Sequence, residues 1–63
     1  MATREQYETA ARNAGWTIGT FGKGGMVQKW WNPTSDDGSR YLLNERAGKY
    51  ICEDHDITVT EDA

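Results

Sequence analysis

Residues 52–56 carry the side chains that could do chemistry, because a thiol, an imidazole and three carboxylates fall within five positions. Cys52 and His55 are the chain's one cysteine and one histidine, whereas a structural zinc site takes four ligands. A Cys–His nucleophile also needs an orienting group and an oxyanion site. We therefore expect no metal, no cofactor and no enzyme activity, with Cys52 as a small buried residue and His55 as an exposed turn residue.

Two glycine-containing segments resemble ligand loops, but each lacks what such a loop needs. Asp36-Asp37-Gly38 has no alternating ligands and no closing glutamate of a calcium loop, so it predicts a turn. Gly22-Lys23-Gly24-Gly25 has no Gly-Lys-Ser/Thr ending and no following helix, which a phosphate-binding loop requires. Because glycine tolerates positive φ, this second segment predicts a hairpin turn.

The strand after that turn carries two adjacent tryptophans, Trp30 and Trp31. Neighbouring side chains of a strand point to opposite faces, so the two indoles belong to different environments. Lys29 shares a face with Trp31, which favours that face as the solvent side. We expect Trp30, with Met26, to point toward the helix, and Trp30 to be more buried than Trp31.

Charge is distributed unevenly along the chain, whose formal net charge is −3. The last eleven residues hold five carboxylates and no lysine or arginine, whereas the remainder of the chain holds all seven basic residues. Such a tail gives solubility, and it also offers an acidic surface to a basic partner. Both interpretations of the tail are open from the sequence.

Residues 3–14 predict an amphipathic helix. Thr3 is a favourable N-cap with Gln6 three residues later, which is the pattern of a capping box, and Gly15 supplies a stop. Residues 16–21 and 26–31 alternate as two strands of a hairpin. Residues 32–39 then form a loop.

Residues 40–53 are ambiguous between two structures. A short helix at 40–47 would be capped by Ser39 and stopped by Gly48. A hairpin would instead place strands at 41–44 and 49–53, and we favour this hairpin. Ile57 and Val59 alternate with threonines, which is typical of a short edge strand.

These elements predict a single α+β domain over residues 1–63. The N-terminal helix, 3–14, packs on a small antiparallel β-meander of three to five short strands, 16–59, and the acidic tail, 60–63, frays. The lone thiol favours a reducing cytoplasm, and the chain has no apolar run of about 20 residues that would cross a membrane. The oligomeric state stays open, and a subunit stable only as an oligomer is a third possibility.

Two binding functions fit this chain. The first is a protein–protein module that faces a basic surface, for which we select the carboxylates and the outward tryptophan: Glu53, Asp54, Asp56, Asp36, Asp37 and Trp31. The second is a small nucleic-acid-binding domain whose hairpin holds phosphates and stacks on bases, through Lys23, Lys29, Arg40, Phe21 and Trp30 or Trp31. The low number of basic residues favours the protein partner over nucleic acid.

A short acidic chain with one cysteine, an N-terminal helix and a compact meander resembles small phage-encoded proteins, and anti-CRISPR proteins in particular. The resemblance covers the overall build of the chain, and no signature motif carries it. It implies a stoichiometric, non-enzymatic inhibitor in the host cytosol that blocks a basic nucleic-acid-binding surface of a CRISPR effector complex. The chain's seven basic residues depart from the composition of a strong DNA mimic.

Overall fold

The computed structural model describes residues 2–35 and 38–60, and its elements follow in the order helix, three strands, helix. Helix α1 spans Arg4–Asn13, strands β1, β2 and β3 span Thr17–Phe21, Val27–Trp31 and Arg40–Leu42, and helix α2 spans Ala47–Asp54. The α+β class is thereby confirmed. Neither helix of the described ranges has the length and apolar composition that crossing a bilayer requires.

Helix α1 forms as its local sequence predicts. The Thr3 side chain accepts a hydrogen bond from the Gln6 backbone N–H at 3.2 Å, and the Gln6 side chain accepts one from the Thr3 N–H at 2.9 Å. This reciprocal pair is a capping box, which satisfies two donors that the first turn would otherwise leave free. The helix ends before Gly15, whose φ of +104° is one that L side chains rarely adopt.

The three strands form one antiparallel sheet in the order β1-β2-β3. The β1–β2 turn contains a 3-10 segment, Lys23–Gly25, in which Gly24 and Gly25 both have positive φ. That turn sets a register in which Thr17 lies opposite Trp31 and Phe21 opposite Val27. In the other ladder, Trp30 lies opposite Tyr41 and Trp31 opposite Arg40.

Of the hairpin expected at 41–53, the first strand is present as β3, but the second strand, at 49–53, is wrong, and so is the helix at 40–47. β3 ends at Leu42, and residues 47–54 are helical instead. Ala47 and Ile51, at i and i+4, are both fully buried and form the apolar stripe that a helix needs. Gly48, expected to act as a turn or a stop, lies inside α2, where a Cβ would come within 2.9 Å of the Glu8 side chain. The missing side chain lets the two helices approach closely.

Both helices cover one face of the sheet, and the core lies between these two layers. The buried cluster joins Ala11, Trp16, Trp30, Ala47 and Ile51, with Tyr41 and Ile57 packed against it. Residues 57–60 are extended but belong to no strand, so the edge strand expected there is wrong. Ile57 packs on the core, and its N–H donates to the Cys52 carbonyl at 2.9 Å. The expected tail, 60–63, lies outside the described residues apart from Thr60.

Candidate functional site

The two faces of the sheet differ in what covers them. Trp30 is 1% exposed and packs under the helices, and it shares its face with Ile18 and Tyr41, which lie opposite it in the ladders. We call this the covered face. Strand alternation places the following residues on the other, outer face: Thr17, Gly19, Phe21, Val27, Lys29, Trp31, Arg40 and Leu42. The prediction that Trp30 is more buried than Trp31 is confirmed.

Two aromatic rings and a guanidinium form a cluster on the outer face. The ring centroids of Phe21 and Trp31 are 5.6 Å apart, and their planes are nearly perpendicular at 86°. The Arg40 guanidinium carbon lies 4.6 Å from the Phe21 ring centroid, which is cation–π distance. We call these three residues the outer-face cluster. Its rings are only half-buried, so they remain accessible.

Gly19 makes room for this arrangement. A Cβ on Gly19 would lie 2.5 Å from the Trp31 Nε1 atom and 3.0 Å from its Cδ1 atom. The indole therefore rests over the bare backbone of β1, and the Phe21 ring borders the same space at 3.3 Å from that position. Gly19 was not among the candidate residues predicted from the sequence. A glycine inside a strand, on the same face as an aromatic residue, is the signal that indicates such an approach.

The charges on the strands are all positive. Lys29 and Arg40 are the charged residues of the strands, and both lie on the outer face. Lys23 adds a third cation in the β1–β2 turn. A surface with cations beside accessible rings attracts anions that carry flat, polarisable groups.

Apolar side chains border the cluster. Val27 is 39% exposed and Leu42 is 62% exposed on the outer face. Met26 precedes β2 in the turn and is 83% exposed, so the expectation that it points toward the helix is wrong. Because the described helices pack on the covered face, these residues have no second layer above them within the described chain.

The carboxylates selected from the sequence lie elsewhere. Glu53 and Asp54 form the last turn of α2, and Asp56 follows with a φ of +55°. Asp54 accepts a hydrogen bond from the Tyr41 hydroxyl at 2.8 Å, so one of its carboxylate oxygens already has a partner within the fold. Asp36 and Asp37 lie outside the described residues.

Trp31 and this acidic group do not share one side of the sheet. The Tyr41 hydroxyl reaches Asp54 from the covered face, whereas Trp31 belongs to the outer face. The structure thus separates the aromatic and acidic parts of the predicted partner surface. It instead brings together residues of the nucleic-acid alternative: Phe21, Lys29, Trp31 and Arg40.

The side chains of Cys52 and His55 are packed and hydrogen-bonded within the fold. Cys52 is 4% exposed, and its Sγ–H donates to the Tyr7 carbonyl at 3.5 Å. Burial, aided by the charge of Glu53, raises the pKa of the Cys52 thiol, so the reactive thiolate is disfavoured. His55 is half-buried rather than exposed, because its ring packs 4.8 Å from Trp16 and its Nε2 lies 3.1 Å from the Tyr41 hydroxyl.

A groove of about 700 Å³ lies between α1 and the extended segment 58–60. Its lining includes Thr9 and Asn13 of α1, together with Thr58 and Thr60. The groove lies on the helix side of the molecule, and none of its lining residues belongs to the outer-face cluster.

Comparisons with protein-family models, with curated proteins and with solved structures found no match to this chain. The geometry itself defines a small α+β domain with one covered and one open sheet face.

Proposed function

We propose that this protein binds single-stranded nucleic acid on the outer face of its sheet. The observation that carries the proposal is the outer-face cluster, in which Trp31 and Phe21 remain accessible beside the cation of Arg40. Bases of a single strand are free to stack on such rings, and each stacked base contributes about 1–3 kcal/mol to binding. A duplex keeps its bases inside and offers no such contact.

The cations of this surface supply the second part of the interaction. Lys29 lies between Gly19 and Leu42 in the two ladders, one residue from Trp30 and two from Trp31 along β2. Lys29 and Arg40 are therefore both neighbours of Trp31 on the outer face, one along β2 and one across on β3, and can hold phosphates beside a stacked base. Lys23 is exposed in the β1–β2 turn and supplies a third cation at that end of the hairpin.

The distribution of charge orients the approach of an anionic strand. The strands carry no carboxylate, whereas Glu53, Asp54 and Asp56 lie at the C-terminal end of α2. A polyanion is repelled by that end and attracted to the outer face, even though the net charge of the chain is negative. Because the cations are separated from these carboxylates, a chain with few basic residues can still present a positive surface to nucleic acid.

The decisive measurement is the affinity for fluorescent single-stranded DNA and RNA oligomers, followed by anisotropy as salt is increased. Three phosphate contacts predict a slope of log K against log salt of about −2, and removing one cation lowers its magnitude by about 0.7. Trp31→Ala should weaken binding by about tenfold or more, since it removes a stacking ring. Lys29→Ala should reduce the salt slope.

Matched controls come from α2. Tyr50→Ala removes a 43% exposed aromatic residue, and Lys49→Ala removes an exposed lysine, both outside the outer face. We expect both variants to bind as the unmodified protein does. Absence of binding at low salt, or an equal loss of affinity in the controls, would contradict the proposal.

The inhibitor hypothesis stays a prediction, and the exposed Glu53 and Asp56 are the observation that favours it. In this second candidate function, these carboxylates and Asp54 face a basic protein surface of the CRISPR effector type. The test is joint neutralisation by Glu53→Gln, Asp54→Asn and Asp56→Asn, with inhibition of an effector complex as the measurement. The amide oxygen at position 54 can still accept the Tyr41 hydrogen bond, so we expect the fold to be preserved. Unchanged inhibition would remove the acidic-surface hypothesis.

A further inference from the structure

One edge of the sheet is open. Strand β1 pairs with β2 on one side, and within the described residues the sheet order β1-β2-β3 leaves its other side without a strand. Among the described residues, none of the backbone hydrogen bonds outside the helices and ladders involves residues 17–21. The N–H and C=O groups along this edge are therefore available for a further strand.

The two edges of the sheet differ in how they are protected. β3 is three residues long and carries the charge of Arg40, and short charged edges resist further pairing. β1 has five residues, Thr17–Phe21, with no charge and no proline. Ile18 lies on the covered face and yet is 39% exposed, so the helices do not reach over this edge.

We propose that a second copy of this chain pairs with β1 along this edge, antiparallel, to form a continuous six-stranded sheet. Two copies of β1 can pair without charge repulsion, because the strand has no charged residue. A two-fold axis at Gly19 would pair all five residues of one copy with the five of the other. Thr17 then lies opposite Phe21 of the second copy, and Ile18 lies opposite Thr20. β-Branched and aromatic residues of this kind form favourable cross-strand pairs.

This pairing has a consequence for the outer face. Directly opposed residues of an antiparallel pair point to the same side, so the outer faces of the two copies become one surface. Both outer-face clusters then lie on it, and the two Lys29 positions are separated by three strand spacings, about 14 Å. The joined surface would extend a binding site for an anionic strand across both copies.

The proposal is tested by sedimentation velocity of the protein alone, over about a hundredfold range of concentration. We expect a monomer–dimer equilibrium that Ile18→Lys shifts by about tenfold or more toward monomer, because it adds a charge to each copy at the pairing edge. Leu43→Lys is the matched control, since Leu43 is 43% exposed and lies beyond the opposite edge strand. It should leave the equilibrium unchanged.

Thr20→Lys provides a second edge variant, at an exposed residue, should Ile18→Lys fail to fold by circular dichroism. A monomer at every concentration, or an equal shift in the Leu43→Lys control, would overturn the proposal. Because no nucleic acid is present, this outcome is independent of whether the outer face binds a single strand.

The register is tested by disulfide cross-linking. Oxidation of a mixture of Ile18→Cys and Thr20→Cys chains should give mainly the mixed dimer, since residues 18 and 20 face each other across the two-fold axis. The native Cys52 is buried and does not compete. Homodimers of Ile18→Cys in excess over the mixed dimer would overturn the register centred on Gly19.

Discussion

Trp30 and Trp31 are neighbours of the same type with opposite surroundings. Trp30 is 1% exposed in the core, under the Arg12 guanidinium at 5.0 Å from its ring, whereas Trp31 rests over Gly19 on the outer face. Both indoles carry the same apolar area, so hydrophobicity alone does not decide which is buried. The helices cover only one face of the sheet, and the alternation of β2 assigns one tryptophan to each face. The covered face therefore stabilises the fold, whereas the outer face has no second layer packed on it within the described residues.

The largest difference in stability should appear between the two variants in which one tryptophan is replaced by alanine. Trp30→Ala should cost about 3–5 kcal/mol in the free energy of unfolding, because it leaves a large cavity in the core. Trp31→Ala should cost about 1 kcal/mol or less, since no second layer packs on it. Urea unfolding followed by circular dichroism measures both. Similar losses of stability in the two variants would contradict the claim that only the covered face contributes to the core.

Two glycines offer a second test, one between the helices and one on the outer face. Gly48→Ala should destabilise by about 1–3 kcal/mol, although alanine favours helices, because its Cβ meets the Glu8 backbone nitrogen at 3.0 Å. Gly19→Ala instead displaces the Trp31 indole, which is a side chain on an open face and can move. We expect a smaller loss of stability in thermal melts and a clear change in affinity for a single-stranded oligomer. Stabilisation by Gly48→Ala would contradict the close helix approach.

Tyr41→Phe tests whether a polar contact of the covered face affects stability without affecting binding. The change removes the hydroxyl that donates to Asp54 at 2.8 Å and lies 3.1 Å from the His55 Nε2. We expect a loss of about 0.5–1.5 kcal/mol in the free energy of unfolding, because the exposed Asp54 regains water as a partner. Affinity for a single strand should be unchanged. A large loss of binding would show that the two faces are coupled.

The smallest effect concerns Cys52 and pH. Burial raises the pKa of this thiol above its ordinary value of 9.0, so the folded protein holds the thiol proton more tightly than the unfolded chain does. This contribution is complete below pH 9.0 and is lost as the pH rises through the higher folded value. Urea unfolding at a series of alkaline pH values should show stability falling, and falling less in a Cys52→Ala variant. Equal slopes in the two proteins would contradict a buried, protonated thiol.

Helix α1 and the β1–β2 hairpin could be predicted from the sequence because their signals are local. The capping box of Thr3 and Gln6 lies within one turn, and the positive-φ glycines lie within one loop. Helix α2 could not be predicted in the same way. Its N-cap residue, Arg46, makes no side-chain cap hydrogen bond, and Tyr50 and Ile51 also favour strands. Packing of Ala47 and Ile51 against the core decides in favour of the helix.

The candidate site shows the same division. Alternation along β2 predicts that Lys29 and Trp31 share a face, and the confirmed burial of Trp30 fixes which face is open. The contact of Arg40 with Phe21 was beyond sequence reasoning, because those residues are on strands that each pair with β2 and not with each other. The position of Gly19 under the Trp31 indole likewise depends on the register between β1 and β2.

Local sequence is sufficient to predict where α1 begins and ends, where the chain reverses after β1, and that the two tryptophans lie on opposite faces. Each of these depends on residues a few positions apart, through hydrogen bonds, allowed φ values and the period of a strand. Contacts between distant segments are needed to explain why residues 47–54 form a helix and why Tyr41 donates a hydrogen bond to Asp54. The same holds for the meeting of Phe21, Trp31 and Arg40 on one surface. Those outcomes depend on free energies of burial and pairing between segments distant in sequence, which no local pattern contains.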